Sequence, residues 1–251
     1  MLKILLSGAC GRMGRQVAAL AEEENARIVA GVDVHPENAG AFSVYPSFSL
    51  VEEEADVIVD FSRPEGLSAL LAYAKAHRLP AVLAATGYNE SDREAIREAA
   101  KEIPIFRSAN MSLGVYVLKT LARQAAQLLP GFDIEIIERH HNQKIDAPSG
   151  TALMLYDAVS AADSQPVFGR NGRTQKREKN EIGIHAIRGG TVPGDHEVGF
   201  YGPAEVITLA HSAQDRSIFA RGALRAARFL RQQPPGEYAM DDLANVLTGN
   251  E

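Results

Sequence analysis

The N-terminal stretch of the chain reads MLKILLSGACGRMG over residues 1–14. Residues 2–6 form a short apolar run, typical of a buried strand, and a turn with glycines at positions 8, 11 and 14 follows it directly. Apolar residues then recur at helical spacing, beginning with Val17. A strand, a glycine-rich turn and a helix in this order predict the first unit of a dinucleotide-binding fold.

The glycines in this turn have a physical role. They let the backbone approach a pyrophosphate, and the start of the helix offers amides and the positive end of its dipole. The spacing G-x-x-G-x-x-G differs from the commoner G-x-G-x-x-G, and a tight turn without a ligand would also use glycines. We predict that the cofactor phosphates bind here, through Gly8, Ala9, Cys10, Gly11, Arg12 and Met13.

The end of the second predicted strand, residues 27–32, indicates how the adenine ribose is bound. Asp33 follows this strand, about 20 residues beyond the glycine turn, where a carboxylate accepts the ribose hydroxyls. Val34 stands where a basic residue would bind a 2′-phosphate, but His35 and Arg12 remain candidates for that contact. We therefore expect the cofactor to be NADH, NADPH or both.

Strands and helices continue to alternate along the N-terminal part of the chain. This alternation predicts an α/β fold with a doubly wound parallel sheet of the Rossmann type, in which ligands collect at the carboxyl ends of the strands. The predicted elements are strand 55–61, helix 64–77, strand 81–84, helix 91–102 and strand 103–107.

Composition and charge exclude several classes of protein. The 251 residues suffice for two domains, and 45% of them are hydrophobic, as in an ordinary globular protein. A formal net charge of −6 argues against a nucleic-acid partner, and no apolar stretch has the length of a membrane span. Cys10 is the only cysteine, which excludes an internal disulfide, and the first apolar run is too short for a signal-peptide core. We expect a soluble cytoplasmic protein.

A second stretch, EIIERHHNQKIDAPSGTA over residues 135–152, carries the candidate chemistry. Its isoleucines predict a strand over residues 133–138, and Ser149 predicts a capped helix start. His140, His141 and Lys144 lie between the two. A proton donor, a fixed positive charge and the amides of a helix N-terminus are therefore close together in the chain. This combination suits a small anionic substrate that must receive a proton.

The adjacent histidines have two other interpretations. They could be exposed loop residues without a function, or they could share a metal ion. A shared metal is disfavoured because adjacent side chains on extended backbone point to opposite faces. We therefore predict no metal site.

The string H-H-x-x-K-x-D-A-P-S-G-T-A, from His140 to Ala152, closely resembles the signature of the 4-hydroxy-tetrahydrodipicolinate reductases, formerly called dihydrodipicolinate reductases. The resemblance implies an NAD(P)H-dependent reductase of the diaminopimelate route to lysine. Such an enzyme passes a hydride to a small cyclic dicarboxylate and adds a proton at the neighbouring carbon. The resemblance further implies that His140 or Lys144 donates the proton, and that His141, Gly150 and Thr151 bind carboxylate.

The resemblance covers nearly the whole chain, with two departures in the first domain. Residues 84–87 read Ala-Ala-Thr-Gly where the family usually has Gly-Thr-Thr-Gly, which removes one hydroxyl but leaves backbone contacts to the nicotinamide side. Met111, in the predicted hinge 108–112, stands where an aromatic residue is common. The further cofactor contacts that the resemblance implies are Ala84, Ala85, Thr86, Ser108, Ala109, Asn110 and Met111.

The C-terminal half of the chain predicts a second, α+β domain with a mixed or antiparallel sheet. Strand-like runs at 182–188, 196–201 and 204–211 are separated by short turns that contain glycine. The basic segment 168–179 is either a solvated loop or a mobile flap over an anionic site.

Two domains with different tasks follow from these elements. We expect a dinucleotide-binding domain at residues 1–108, completed by 216–251, and a substrate-binding and oligomerisation domain at 109–215. The predicted helix 217–230 has a broad apolar face, and the resemblance implies that it packs on the first domain. The resemblance also implies a homotetramer assembled through the sheets of the second domain.

Two other functions remain open from the sequence. A nucleotide-sensing regulatory module could keep the glycine turn and bind cofactor without turnover, but it would not need His140, His141 and Lys144 beside a helix start. A semialdehyde dehydrogenase would need a catalytic thiol, and Cys10 lies in the nucleotide turn, away from the second stretch.

Overall fold

The computed structural model describes residues 1–36, 41–172 and 176–249. It divides into two compact units, Met1–Leu113 with Arg216–Glu251, and Gly114–Asp215. In chain order the strands are β1 (Leu2–Ser7), β2 (Ala26–Val32), β3 (Ser43–Tyr45), β4 (Val57–Asp60), β5 (Ala81–Leu83), β6 (Pro104–Arg107), β7 (Asp133–His140), β8 (Gln165–Phe168), β9 (Glu181–Arg188), β10 (Asp195–Tyr201), β11 (Val206–Ser212) and β12 (Gly236–Tyr238). The helices are α1 (Arg12–Leu20), α2 (Leu67–His77), α3 (Glu90–Ala100), α4 (Leu113–Leu128), α5 (Gly150–Val159), α6 (Ser217–Leu230) and α7 (Met240–Thr248).

The first unit is built on a parallel sheet of seven strands in the order β12-β6-β5-β4-β1-β2-β3. Each pair of neighbouring strands in this sheet runs parallel. Its central strands are mostly apolar and almost entirely buried, as expected when helices cover both faces of a parallel sheet. The Rossmann-like part of the predicted fold class is therefore confirmed.

Two edge strands of this sheet, β3 and β12, were not predicted from the sequence. Each has only three residues, which is too short to show a strand period. Pro234 and Pro235 separate α6 from β12, and Gly236–Tyr238 pairs with β6 directly after these prolines. Short strands at a sheet edge depend on the neighbouring strand and not on a pattern of their own.

Helix α6 packs within the first unit, against α1 and against β4, β5 and β6. Its observed bounds agree with the predicted helix 217–230. A Cβ atom added at Gly222 would overlap the carbonyl oxygen of Met111, so α6 lies directly on the backbone that follows β6. Gly222 is therefore required for this close approach.

The second unit is built on a mixed sheet in the order β11-β10-β7-β9-β8. Strand β10 is antiparallel to β7 and β11, whereas β7, β9 and β8 are mutually parallel along the sheet. Helices α4 and α5 bury one face of it, with Leu118 and Leu155 packed in the same core as Ile136 and Phe200. The predicted second domain with a mixed sheet is confirmed as a fold class.

The structure corrects two details of the second unit. Strand β7 continues to His140, beyond the predicted end at residue 138, so His140 lies on a strand and not in a loop. Strand β8 was not predicted, because it has four residues and includes Pro166, which cannot donate a ladder hydrogen bond. Residues 173–175 of the predicted basic loop lie outside the described residues.

Within the described ranges, no helix has the length and apolar content needed to cross a membrane. The same part of the chain contains no cluster of three or more potential ligand side chains that could hold a metal ion.

Candidate active site

The glycine turn of the first unit packs tightly against the end of β4. Gly8 has φ +75°, and a Cβ atom there would lie 2.8 Å from the backbone of Phe61. A Cβ atom at Gly14 would overlap the carbonyl oxygen of Gly8. Gly11 is the N-cap of α1 and has no side chain that could accept from the first helical amides. This cradle, which side chains would fill, fits the pyrophosphate of a dinucleotide.

Asp33 connects the end of β2 to the glycine turn. Its carboxylate accepts hydrogen bonds from the amide of Cys10 at 2.9 Å and from the amide of His35 at 3.0 Å. Each carboxylate oxygen can accept a second bond, so Asp33 can still receive the hydroxyls of a ribose. Val34 beside it is exposed and carries no charge.

The other predicted cofactor residues follow β5 and β6 at the same carboxyl edge of the sheet. Residues 84–86 follow β5, and residues 108–111 follow β6. The side chains of Ala85 and Met111 are buried in the protein, so a ligand at this edge would meet their backbone. The Ser108 hydroxyl donates to the Asn110 carbonyl oxygen at 2.7 Å, which folds this segment back on itself.

Asp60 and Tyr88 form a buried pair at this edge that the sequence analysis did not single out. Asp60 ends β4 and is 2% exposed, and burial raises the pKa of its carboxyl. The Tyr88 hydroxyl donates to it at 3.5 Å, and the Ser62 amide donates at 3.1 Å. In the sequence, the only feature that indicates this pair is the acidic residue at the end of an apolar strand.

Four polar side chains of the second unit meet on the helix-covered face of its sheet. Because side chains alternate along a strand, Glu138 and His140 on β7 point to the same face. In the strand register, His140 pairs with Arg188 on β9, and Glu138 pairs with His196 on β10. All four therefore belong to one cluster at the ends of three strands.

Glu138 is the centre of this cluster and is fully buried. Its Oε2 lies 2.6 Å from His140 Nδ1 and accepts from Arg188 Nη1 at 2.7 Å. Its Oε1 accepts from Arg188 Nη2 at 2.7 Å and from the Ser149 amide at 2.9 Å. Burial alone would raise the pKa of Glu138, but the hydrogen bonds from Arg188, His140 and Ser149 outweigh it and lower the pKa.

The N-terminus of α5 lies beside this cluster. Ser149 caps the helix by accepting from the amide of Ala152 at 3.1 Å, and its hydroxyl lies 3.1 Å from His196 Nε2. A Cβ atom added at Gly150 would meet no described atom within 4 Å. The start of α5 therefore has open space at Gly150, where the dipole of the helix can attract an anion.

Lys144 forms an ion pair in the loop between β7 and α5. Its Nζ donates to both carboxylate oxygens of Asp146, at 2.7 and 2.8 Å. Burial opposes ionisation of Asp146, but the hydrogen bond and charge of Lys144 lower its pKa. The backbone of His141 is held in place, since its amide donates to the Val192 carbonyl oxygen at 2.8 Å.

Both histidines of the cluster favour the neutral form. Burial lowers the pKa of His140, with Lys144 and Arg188 acting in the same direction and Glu138 against it. Burial and the charge of His140 lower the pKa of His196 to about 4. The two rings meet edge to face, with 5.1 Å between their centroids. A protonated His140 is therefore a stronger acid than an exposed histidine.

The sequence analysis missed Glu138, Arg188 and His196 as site residues. Glu138 gave a local signal, because it stands two positions before His140 on a strand and shares its face. Arg188 and His196 reach the cluster only through strand pairing, and nothing near them in the sequence indicates it.

A parallel sheet with a glycine cradle at its carboxyl edge is the architecture of a dinucleotide-binding domain, as in NAD(P)-dependent oxidoreductases. The two halves of the chain also match models of one protein family. Residues 2–111 match "Dihydrodipicolinate reductase, N-terminus", and residues 114–244 match "Dihydrodipicolinate reductase, C-terminus". The chain belongs to the dihydrodipicolinate reductase family.

Curated relatives and solved structures agree with this family. A 4-hydroxy-tetrahydrodipicolinate reductase of Caldanaerobacter subterraneus subsp. tengcongensis is 51% identical over 247 residues, which cover 97% of this chain and 98% of the relative. One of Clostridium novyi is 45% identical over 248 residues, covering 97% and 98%. The structure of a dipicolinate-bound dihydrodipicolinate reductase from Paenisporosarcina sp. TG-14 matches with a TM-score of 0.79 at 22% identity, covering 95% of this chain and 97% of that chain. At this identity the structural match shows the fold.

Proposed function

We propose that this chain reduces 4-hydroxy-tetrahydrodipicolinate to tetrahydrodipicolinate in the diaminopimelate route to lysine, taking a hydride from NADH or NADPH and one proton and releasing the 4-hydroxyl as water. The observation that carries the proposal is the grouping of His140, Lys144 and the open N-terminus of α5 in a chain of this family. The first unit would hold the cofactor through the glycine turn, Asp33 and the segments after β5 and β6. The second unit would hold the substrate.

The second unit offers complementary groups for a dicarboxylate. Lys144 supplies a positive charge, the amides at Gly150 and Thr151 supply donors at the positive end of a helix, and His141 supplies an imidazole. In the structure Asp146 pairs with Lys144. A substrate carboxylate would take over part of this pairing, which makes Asp146 a competitor that discriminates against weakly charged ligands.

Proton delivery would fall to His140 or Lys144. His140 binds Glu138 through Nδ1, so its Nε2 remains for an exchangeable proton. The lowered pKa of His140 makes its protonated form a ready donor once substrate charge has favoured protonation. A bound reduced nicotinamide supplies the hydride.

A steady-state assay of the purified chain with NADH and with NADPH tests the proposal. We expect cofactor oxidation that depends on freshly generated 4-hydroxy-tetrahydrodipicolinate and yields one product molecule per cofactor oxidised. Cofactor binding without turnover would favour the nucleotide-sensing module instead. Turnover of a semialdehyde would favour the dehydrogenase, although Cys10 lies in the nucleotide turn and β7–α5 contains no thiol.

We predict that NADH is used at least as well as NADPH. Asp33 can accept the ribose hydroxyls but repels a 2′-phosphate, and Val34 adds no compensating charge. A charge-assisted hydrogen bond contributes about 1.5–3 kcal/mol, so the carboxylate should outweigh Arg12. The measurement is kcat/KM with each cofactor, and Asp33→Ala should lose efficiency with NADH more than with NADPH. A wild-type preference for NADPH of more than about tenfold would show that Arg12 or His35 decides the cofactor.

We also propose that the chain works in the cytoplasm as a homotetramer assembled through the sheets of its second unit. The support is a set of exposed apolar side chains on the face of that sheet away from α4 and α5, Ile187, Tyr201 and Val206. Sedimentation equilibrium of the wild type should give four times the chain mass, and a monomer at assay concentration would refute the assembly.

A further inference from the structure

Glu138 is a buried carboxylate whose hydrogen-bonding capacity is filled by three elements of the second unit. Arg188 donates to both oxygens, and the Ser149 amide and His140 Nδ1 each contact one of them. A carboxylate offers about four acceptor positions, and all four are used here. A buried carboxylate that accepts four hydrogen bonds has one preferred orientation, so it can fix the groups that donate to it.

The bonding pattern determines which nitrogen of His140 carries its proton. Arg188 and a backbone amide can only donate, so Glu138 must be an ionised acceptor towards them. Its lowered pKa agrees with an ionised state. His140 Nδ1, at 2.6 Å from Glu138 Oε2, must then be the donor of that contact. The neutral ring is therefore the Nδ1–H tautomer, and Nε2 is left to exchange protons.

The position of Nε2 is restricted from the other side by Gly194. A Cβ atom at residue 194 would lie 2.9 Å from His140 Nε2 and 3.6 Å from His196 Cε1. The ring is thus held by a contact at Nδ1, and Gly194 lies close to Nε2. The second oxygen of Glu138 holds the Ser149 amide, at the start of the helix that would bind substrate carboxylate.

We propose that Glu138, clamped by Arg188, is a positioning residue that fixes the Nδ1–H tautomer of His140 and aligns it with the N-terminus of α5. The inference rests on the proposed function for the role of His140 in proton delivery. The tautomer and the alignment themselves rest on the contacts alone.

Charged and titratable groups face His140 from every strand and loop around it. Glu138 lies on β7, Arg188 on β9 and His196 on β10, and Lys144 lies in the loop that follows β7. Glu138 is the only negative charge among these four, and Asp146, in the same loop as Lys144, pairs with Lys144. Its neutralisation would leave His140 beside Arg188 and Lys144, so the pKa of His140 should fall and its tautomer preference should weaken.

The test is Glu138→Gln, with Glu135→Gln as a matched control. Glu135 also lies on β7 and contacts a histidine, with its Oε2 at 2.7 Å from His185 Nε2, but it belongs to the other face of the sheet. Nitrogen-15 NMR of the histidine rings gives the tautomer and pKa of His140, with the signal assigned through His140→Asn. Steady-state kinetics gives kcat, KM and the pH profile.

We expect the wild-type ring to be the Nδ1–H tautomer at neutral pH. In Glu138→Gln the tautomers should mix, the pKa of His140 should fall, and kcat should drop about ten- to a hundredfold with a smaller change in KM. Glu135→Gln should change the His185 signal and leave the His140 signal unaltered.

Two results would overturn the inference, and both are independent of turnover. One is an Nε2–H tautomer of His140 in the wild type. This measurement needs no variant, so it tests the inference even if Glu138→Gln does not fold. The other is an unchanged tautomer and pKa of His140 in a folded Glu138→Gln. Failure of the proposed function would give a different result. The wild type would then not reduce 4-hydroxy-tetrahydrodipicolinate, but His140 would still be the Nδ1–H tautomer by NMR.

Discussion

Replacing His140 with alanine should lower kcat by about 10²- to 10⁴-fold and leave the affinity for NADH unchanged. The expected loss is large because a positioned acid acts only in the transition state, where the proton moves. The residues predicted to bind the cofactor lie in the other unit, on a separate sheet, so His140→Ala leaves them in place. Steady-state kinetics and NADH fluorescence titration measure the two quantities separately.

Lys144→Ala should lower kcat over the same range and also raise KM. Its charge would contact a substrate carboxylate in the ground state and in the transition state alike, so its loss affects both parameters. Gln143→Ala is the matched control, because Gln143 is exposed in the same loop and its side chain donates only to the neighbouring Asn142 among the bonds described. Near-normal kcat in His140→Ala and in Lys144→Ala would remove these two residues from the mechanism. A loss of NADH affinity as large as the loss of kcat in these two variants would mean that the motif binds the cofactor.

Gly14→Ala should weaken NADH binding about tenfold or more, which is the largest effect that we expect in the first unit. A Cβ atom at residue 14 would overlap the carbonyl oxygen of Gly8 and lie 2.8 Å from Ala9 Cα. Backbone cannot move aside as a side chain can, so the turn must open, at a cost of about 1–3 kcal/mol. A loss of 1.4 kcal/mol corresponds to about a tenfold change in affinity.

Gly66→Ala is the matched control for this variant. A Cβ atom at residue 66 would make an ordinary contact with Ser62 Oγ at 3.5 Å, and the residue has a helical backbone. NADH titration and thermal unfolding of both variants separate a loss of binding from a loss of stability. Wild-type NADH affinity in a folded Gly14→Ala would show that the turn does not bind the pyrophosphate.

The architecture of the first unit was predictable because its signals are local. The glycine turn and Asp33 each come directly after a mostly apolar strand in the chain. Both strands, β1 and β2, are long enough to be recognised from the sequence. The short edge strands β3 and β12 were missed, since a three-residue strand carries no pattern.

The candidate active-site cluster was predictable only in part, for a physical reason. His140, Lys144 and Gly150 stand in one contiguous motif, but the strand that carries His140 was predicted to end two residues too early. Arg139 and His140 end the apolar alternation of β7, yet the ladder to β9 continues through both of them. Arg188 and His196 are distant in sequence, and only the strand register brings them to Glu138.

The protonation state of His140 also depends on tertiary structure. Its reference pKa lies near neutrality, which is why the sequence suggests a proton donor. Burial and two neighbouring cations lower that pKa, and Glu138 opposes them. None of these influences can be obtained from the motif, because burial and contacts arise only when the sheet and α5 come together.

Calorimetric titration with dipicolinate at saturating NADH tests most directly whether the second-unit cluster is the dicarboxylate site. Dipicolinate is the ligand named for the Paenisporosarcina relative, and it allows binding to be measured without turnover. We predict binding by the wild type and by Gln143→Ala with equal affinity, and binding by Lys144→Ala that is weaker by about tenfold or more, the equivalent of one charge-assisted hydrogen bond. Equal affinity of the wild type and Lys144→Ala would place the dicarboxylate elsewhere and contradict the account.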